Sequence, residues 1–312
     1  MDIINTEEFE PRTVDKVQRL LDLLEELERH PSLRGKLALH GGTAINLFML
    51  SIPRMSVDID VSYIGEVSRA GMLSERPAIE SGIEAVAQGL GYVLEPSGGG
   101  HAGRTFLLRY KGDWGIDHVK IDCIYMNRSP IMPPIMRETA LRPGVRIRTF
   151  SNAELAGGKV KALFDRVKVR DLYDVSNLKT VCENLPDGER GTIHKILLYY
   201  ASLSACFPAN FASRTRRFVD KRRELEEQLY PMLRLSATRP SLEKLMLDAE
   251  AFIEDWIEPQ SNDELEYLRL FSCGEYRPDL LFSTPSMVAA ATVNSEALWK
   301  LQNLRKMREQ QS

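Results

Sequence analysis

Cysteine is scarce in this 312-residue chain: Cys123, Cys182, Cys206 and Cys273 stand far apart, with no CxxC pair and no His-Cys cluster. That spacing excludes a zinc ribbon and argues against a disulfide framework, so reduced thiols are expected. No leader is expected either, because MDIINTEEFEPR is acidic and lacks the basic-then-apolar order of a signal peptide. No apolar run approaches the roughly 20 residues that cross a bilayer. Nor does one sign of charge dominate. Lys and Arg number 41 against 44 Asp and Glu, a net charge of −3, so any nucleic-acid binding must rest on a local patch. These absences together point to a soluble, cytoplasmic protein without membrane association.

What is present is globular material, 43% hydrophobic and 27% charged, which excludes a disordered chain or a fibre. At roughly 150 residues per domain the length predicts two domains. TVDKVQRLLDLLEELER (13–29) carries its apolar residues at helical spacing, with Thr13 as N-cap and His30-Pro31 as the stop. A short apolar strand over 36–39 ends at Gly41-Gly42. A helix capped by Thr43 follows and halts before Pro53. Residues 57–63 alternate as a strand, and 76–90 read as a helix. Three β-rich runs (92–95, 105–110, 118–126) then predict a small mixed sheet. The proline-rich stretch 129–144 reads as a connector, and helical patterns dominate from Ser151 onward. The expectation is an α/β (α+β) chain: an α/β domain over 1–150 and a mainly helical domain over 151–312.

The chemistry concentrates in LHGGTAINLFMLSIPRMSVDID, residues 39–60. Two glycines before a helix let backbone amides approach an anion, and the helix start adds partial positive charge. Asp58 and Asp60 lie two apart on a strand and so share a face. Paired carboxylates repel unless a cation neutralises them, and hard oxygen ligands suit Mg²⁺. Either feature alone is commonly a turn or a solvated edge; their order across one short helix describes a site for nucleoside triphosphate chemistry. Asp122, in the apolar run HVKIDCIYM, needs a partner as well. Two answers stand open: an ion pair with Lys120 on the same face, or a place beside Asp58 and Asp60 around a metal.

GGTAINL, RMSVDID, KID and ELAGGKVKALFDRVKVRDLYDV, in that order, resemble the AbiEii/AbiGii-type toxin nucleotidyltransferases, MenT-like toxins included, within the DNA polymerase β-like nucleotidyltransferase superfamily. The resemblance spans residues 36–180. It implies an NTP-dependent enzyme of a toxin–antitoxin system that releases pyrophosphate as it moves a nucleotide to an acceptor. In MenT-like members that acceptor is most often the 3′ end of tRNA. It implies that Asp58 and Asp60, with Asp122 as third carboxylate, hold Mg²⁺, two ions in all. Gly41, Gly42, Thr43 and Ser56 fall on its nucleotide site, and Arg54 is a further candidate phosphate contact. Lys159, five residues after Glu154, matches a lysine that contacts the phosphates, and Asp171, or else Asp174, matches its downstream aspartate. A separately encoded antitoxin is the implied partner.

The second block has a physical reading of its own. In one continuous helix Lys159, Leu163, Arg166 and Arg170 form a basic stripe beside an apolar one. Asp171 can be read instead as the N-cap of a following helix, and Glu154 as a first-turn acid after Ser151. For an RNA acceptor the candidate surface is SRTRRFVDKRR (213–223), in particular Arg216, Arg217, Arg222 and Arg223. Its alternative is a solvated face paired with the ELEE that follows. Arg137, Arg142, Arg146 and Arg148 form a second basic cluster. Two other functions fit the same motifs: modification of a small molecule, as in antibiotic-modifying relatives, and a non-catalytic protein that acts through contacts.

Overall fold

The computed structural model describes residues 6–208, 211 and 214–310, and it divides into two units. One holds the residues up to Arg128, Pro134–Phe150 and Met232–Ala237; the other holds Ser129–Pro133, Ser151–Pro231 and the residues from Thr238 onward. The chain therefore returns to its first unit twice, at Pro134 and again, long after residue 150, at Met232. No helix among the described residues is long and apolar enough to cross a membrane.

The first unit is a seven-stranded mixed sheet with helices. Its elements are α1 (Pro11–Arg29), β1 (Leu37–His40), α2 (Gly41–Phe48), β2 (Asp58–Tyr63), α3 (Arg69–Gly89), β3 (Val93–Glu95), β4 (Gly103–Gly112), β5 (Gly115–Ile124), β6 (Ile135–Thr139) and β7 (Arg142–Thr149). The strand order is β3-β4-β5-β2-β1-β7-β6, with β2·β5 and β1·β7 parallel and the other pairs antiparallel. Period-two alternation sorts the strands' side chains. Phe106 and Leu108 of β4, Ile59 and Val61 of β2, and Val119 and Ile121 of β5 are buried, while the residues between them in each strand are half-buried. Burying one such side chain contributes about 1.5–3 kcal/mol, which fixes register and thereby the facing of every polar residue between.

Several local expectations are corrected. The first helix begins at Pro11 rather than Thr13: Glu10 is its N-cap, and the Glu10 carboxylate accepts from the Thr13 amide at 2.8 Å. Pro11 suits the first helical position because it has no N–H to leave unpaired. α2 begins at Gly41 with His40 as N-cap, so Thr43 lies inside the helix. The stretch 129–144 is not all connector, since β6 and the start of β7 come from it. β6 is the sheet's edge and Pro143 sits near the start of β7, where a missing N–H is tolerated. The second basic cluster is drawn onto α1: Arg148 pairs with Glu28 at 3.3 Å, and Arg142 pairs with Asp22.

The second unit is helical: α4 (Asn152–Asp165), α5 (Val169–Glu183), α6 (Asp187–Leu203), α7 (Arg222–Glu224), α8 (Leu242–Trp256), α9 (Asn262–Ser272), α10 (Pro285–Val293) and α11 (Ser295–Glu309). Ser151, Ser241 and Ser261 cap α4, α8 and α9 with their side chains. Gly157 of α4 lies against Tyr200 of α6 so closely that a Cβ there would fall 2.4 Å from the Tyr200 ring. The helix expected to run continuously through Arg170 breaks at Arg166, the C-cap of α4, and restarts at Val169. Arg166 and Arg170 therefore do not extend a stripe begun by Lys159.

Candidate active site

In the first unit one face of the sheet carries the polar residues in register. Asp60 of β2 is paired with Asp122 of β5, and Asp122 with Thr105 of β4; one step along, Asp58 is paired with Lys120. On the other side Asp60 faces His40 of β1, whose ring stacks on Phe150. Asp58 and Asp60 share a face, as their spacing requires. The Asp122 carboxylate accepts from the Thr105 hydroxyl at 2.6 Å and is paired with the Lys120 ammonium at 2.8 Å. The ion pair that the sequence allowed is thus the contact the structure contains. Partial burial works against the Lys120 charge, but its hydrogen bond to Asp122 and the fields of Asp58, Asp122 and Asp60 outweigh that, so its pKa is raised.

The glycine turn is shaped around this row. Gly41 has φ +71°, in the left-handed region, and a Cβ at Gly41 would fall 2.2 Å from Asp60 Oδ2. Only glycine lets the start of α2 and the Asp60 carboxylate come so close. Gly42 is half-buried beside it. Thr43 is fully buried, and its hydroxyl donates to the Asp58 carbonyl oxygen. That hydroxyl ties α2 to β2 directly beneath the aspartate pair.

The loop entering β2 is held from far along the chain. Ser51 and Ile52 have φ of 55° and 57°, a costly conformation for a β-branched residue. Arg234 donates from Nε to the Ile52 carbonyl and from its terminal nitrogen to the Ser51 carbonyl, each at 3.2 Å. Arg54, only 2% exposed, bridges to Leu233 and donates to the Met55 carbonyl at 2.8 Å; Ser56 is also buried. Thr105 and Arg234 were not anticipated from sequence. A polar residue opposite an acid, or an arginine 182 residues from its acceptor, leaves no local signal.

The donor chemistry fits a divalent cation: two carboxylates on one face, a third across the strand pair, and an ammonium already resting among them. Among the described residues no three His, Cys, Asp or Glu side chains converge as a ready-made cage.

The second unit holds Lys159, 4% exposed, with Nζ 3.0 Å from Asp171 and 3.0 Å from Asp174. Arg166 adds contacts to Asp171 at 2.6 and 3.1 Å. Asp171 is not an N-cap; Lys168 has that position, and the Asp171 carboxylate serves the two cations. Burial would raise the Asp171 carboxyl, but the Lys159 charge and the Arg166 hydrogen bond override it and hold the pKa at about 2. Nearby Glu154 is also buried, accepting from the Met132 amide at 3.0 Å and from the Tyr200 hydroxyl. Burial pushes its carboxyl up to about 7 against those two bonds.

The arginines considered for RNA are dispersed. Arg222 and Arg223 pair with Glu226 and Glu227 at 3.4 and 2.8 Å, yet remain 84% and 86% exposed. Arg217 donates to the Phe164 carbonyl at 2.8 Å. Arg216 lines a groove of about 450 Å³ whose other walls include Glu243, Glu250, Glu254, Leu242 and Leu247. Ser213 of this stretch lies outside the described residues.

The family model described as "Nucleotidyl transferase AbiEii toxin, Type IV TA system" matches residues 22–259, more than half of the chain. Among solved structures the chain resembles MenT4, a nucleotidyltransferase toxin from Mycobacterium tuberculosis, with a TM-score of 0.50 and 14% identity over 94% of each chain. It also resembles JHP933 from Helicobacter pylori, with a TM-score of 0.48 and 14% identity over 79% of this chain and 92% of that one. No curated protein matches it.

Proposed function

Because the chain belongs to the AbiEii nucleotidyl transferase toxin family of type IV toxin–antitoxin systems, we propose that it transfers a nucleoside monophosphate from an NTP to an RNA acceptor, the 3′ end of tRNA, releasing pyrophosphate. The family makes the chain a nucleotidyltransferase and implies a cognate antitoxin; the acceptor and the residue roles are our reading. The observation that carries it is the Asp60 carboxylate pressed against Gly41, which brings an acid row and the first amides of a helix to one place.

In this reading Asp58 and Asp60 would hold Mg²⁺, with Asp122 available as a third carboxylate. The ions, two in all, would when bound favour ionisation of the acceptor hydroxyl and offset triphosphate charge. The acceptor oxygen bonds to the α-phosphorus as the bond to the β-phosphate oxygen breaks. Amides of Gly41, Gly42 and Thr43 at the start of α2 receive phosphate oxygens, an anion preference common to helix N-termini. The Thr43 hydroxyl, engaged with the Asp58 carbonyl, positions the pair instead of the nucleotide. Buried Arg54 and Ser56 shape the loop that delivers Asp58. Lys159 is assigned to phosphate charge, with Asp171 and Asp174 fixing its ammonium.

The test is incorporation of each α-labelled NTP into total tRNA with Mg²⁺, wild type against Asp58→Ala. Label in RNA that disappears in the variant supports the proposal and identifies the nucleotide. No label, with NTP binding intact, moves the reaction to a small-molecule acceptor. If folded protein also fails to bind NTP with Mg²⁺, a non-catalytic role replaces the transferase reading.

A further inference from the structure

The least expected member of the acid row is its lysine. Lys120 is directly across the β2·β5 pair from Asp58, on the same face as Asp122 two residues on, and its ammonium lies 2.8 Å from Asp122 Oδ2. A divalent ion at Asp58 and Asp60, as read above, would be a second cation beside this ammonium. The two cations also want the same atoms. Asp122 already gives Oδ1 to Thr105 and Oδ2 to Lys120. A divalent ion beside Asp58 and Asp60 would repel the ammonium while competing for the oxygen it holds.

We propose that Lys120 is an exchangeable counter-cation of this site: without metal it holds Asp122 and screens Asp58 and Asp60, and a divalent cation displaces it, freeing Asp122 to become a ligand. The inference rests on the metal-dependent reading above, and it adds that the site carries its own competitor for metal. Thr105 makes the exchange workable. Its hydroxyl stays on Asp122 Oδ1, so the carboxylate keeps its direction when the ammonium leaves. Lys120 itself is partly exposed, with 40% of its side chain accessible, and it is a long flexible chain that can swing its charge toward water. A buried lysine such as Lys159 has no such exit.

The experiment measures Mn²⁺ binding to the full chain by calorimetry, with Mn²⁺ as a hard probe ion, and melting temperature with and without metal. Removing one like charge at contact range from a divalent ion should tighten binding about tenfold in Lys120→Met. That variant should melt lower than wild type without metal and gain more from Mn²⁺. Lys120→Gln, which keeps length and polarity, should show the same direction. In wild type labelled with ¹³Cε-lysine, the Lys120 resonance, assigned by its loss in Lys120→Gln, should move when Mg²⁺ saturates the site and stay in Asp58→Ala. Unchanged or weaker metal binding in both variants, or a Lys120 resonance unmoved at saturation, overturns the exchange while leaving the transferase reading standing. Wild type that binds neither Mn²⁺ nor NTP overturns both.

Discussion

Each unit sets a lysine among aspartates, and the two settings differ in access to water. In the sheet, Lys120 sits among Asp58, Asp60 and Asp122, all half-buried. In the helical unit, Lys159 contacts Asp171 and Asp174 and Arg166 contacts Asp171, with Lys159 and both acids buried. Removing one member of a buried ion pair leaves the other charge in a poor solvent. At an accessible face water can replace the missing partner, so the same loss costs less. Lysine and aspartate thus meet in a buried setting in one unit and in an accessible one in the other.

The sharpest way to break that comparison is to remove each lysine. Lys159→Met should cost about 3–5 kcal/mol of stability, because it removes a buried charge from its ion pairs with Asp171 and Asp174. Lys120→Met, in a half-exposed pair, should cost under about 1 kcal/mol without metal. Urea denaturation of both variants decides it, and equal losses would erase the distinction. Asp58→Ala belongs with the second class: it should abolish transfer while changing stability by less than about 0.5 kcal/mol.

The accessible half of this contrast was largely legible in the sequence, and the buried half was not. Asp58 and Asp60 share a face because strand periodicity is local, and the Gly41-Gly42 pair marks the tight turn before α2. The same rule of two allowed Lys120 as partner of Asp122 and left a place around a metal equally open. The contacts of Lys159 depended on a helix break at Arg166, which the periodicity from Lys159 through Leu163 to Arg170 conceals. Thr43 looked like a cap because its neighbours are glycines; tertiary contact with the Asp58 carbonyl decides its role instead. The β6–β7 pair was hidden behind prolines that an edge position tolerates. The Arg234 clamp joins residues so distant in sequence that no pattern could couple them.

Two buried carboxyls in the helical unit should respond to pH in opposite directions. Glu154 has a folded pKa of about 7, above its usual 4.5, so the folded state favours its proton. Its contribution is full below pH 4.5 and is lost as pH rises through 7, about 3 kcal/mol in all. Glu154→Gln can donate to the Tyr200 oxygen and accept from the Met132 amide, so it should be flat over that window and more stable than wild type at about pH 8. Asp171 is held at about 2, below its usual 3.8, and its contribution is present above pH 3.8 and lost as pH falls through 2. That loss is about 2 kcal/mol, and Asp171→Asn should remove this slope from an acid series of urea midpoints. A Glu154 response that followed the direction of Asp171 would show that its carboxyl is paired rather than merely buried.

The smallest effect expected is at Arg222 and Arg223, and it tests whether a surface with matched charge can still serve RNA. Each is paired four residues on with a glutamate, yet each is more than four-fifths exposed, and such pairs contribute at most about 1 kcal/mol. Phosphates can therefore replace Glu226 and Glu227 at little cost. Arg222→Ser with Arg223→Ser should leave the urea midpoint unchanged. If these arginines touch a single-stranded 3′ end, the slope of log affinity for tRNA against log salt should flatten by about 0.7 for each phosphate that is no longer neutralised. An unchanged slope would confine both side chains to their helical ion pairs, and the acceptor surface would have to be sought away from this segment. Arg216, walled by Glu243, Glu250 and Glu254, offers the weaker phosphate contact of the group, so adding Arg216→Ser should change the slope least.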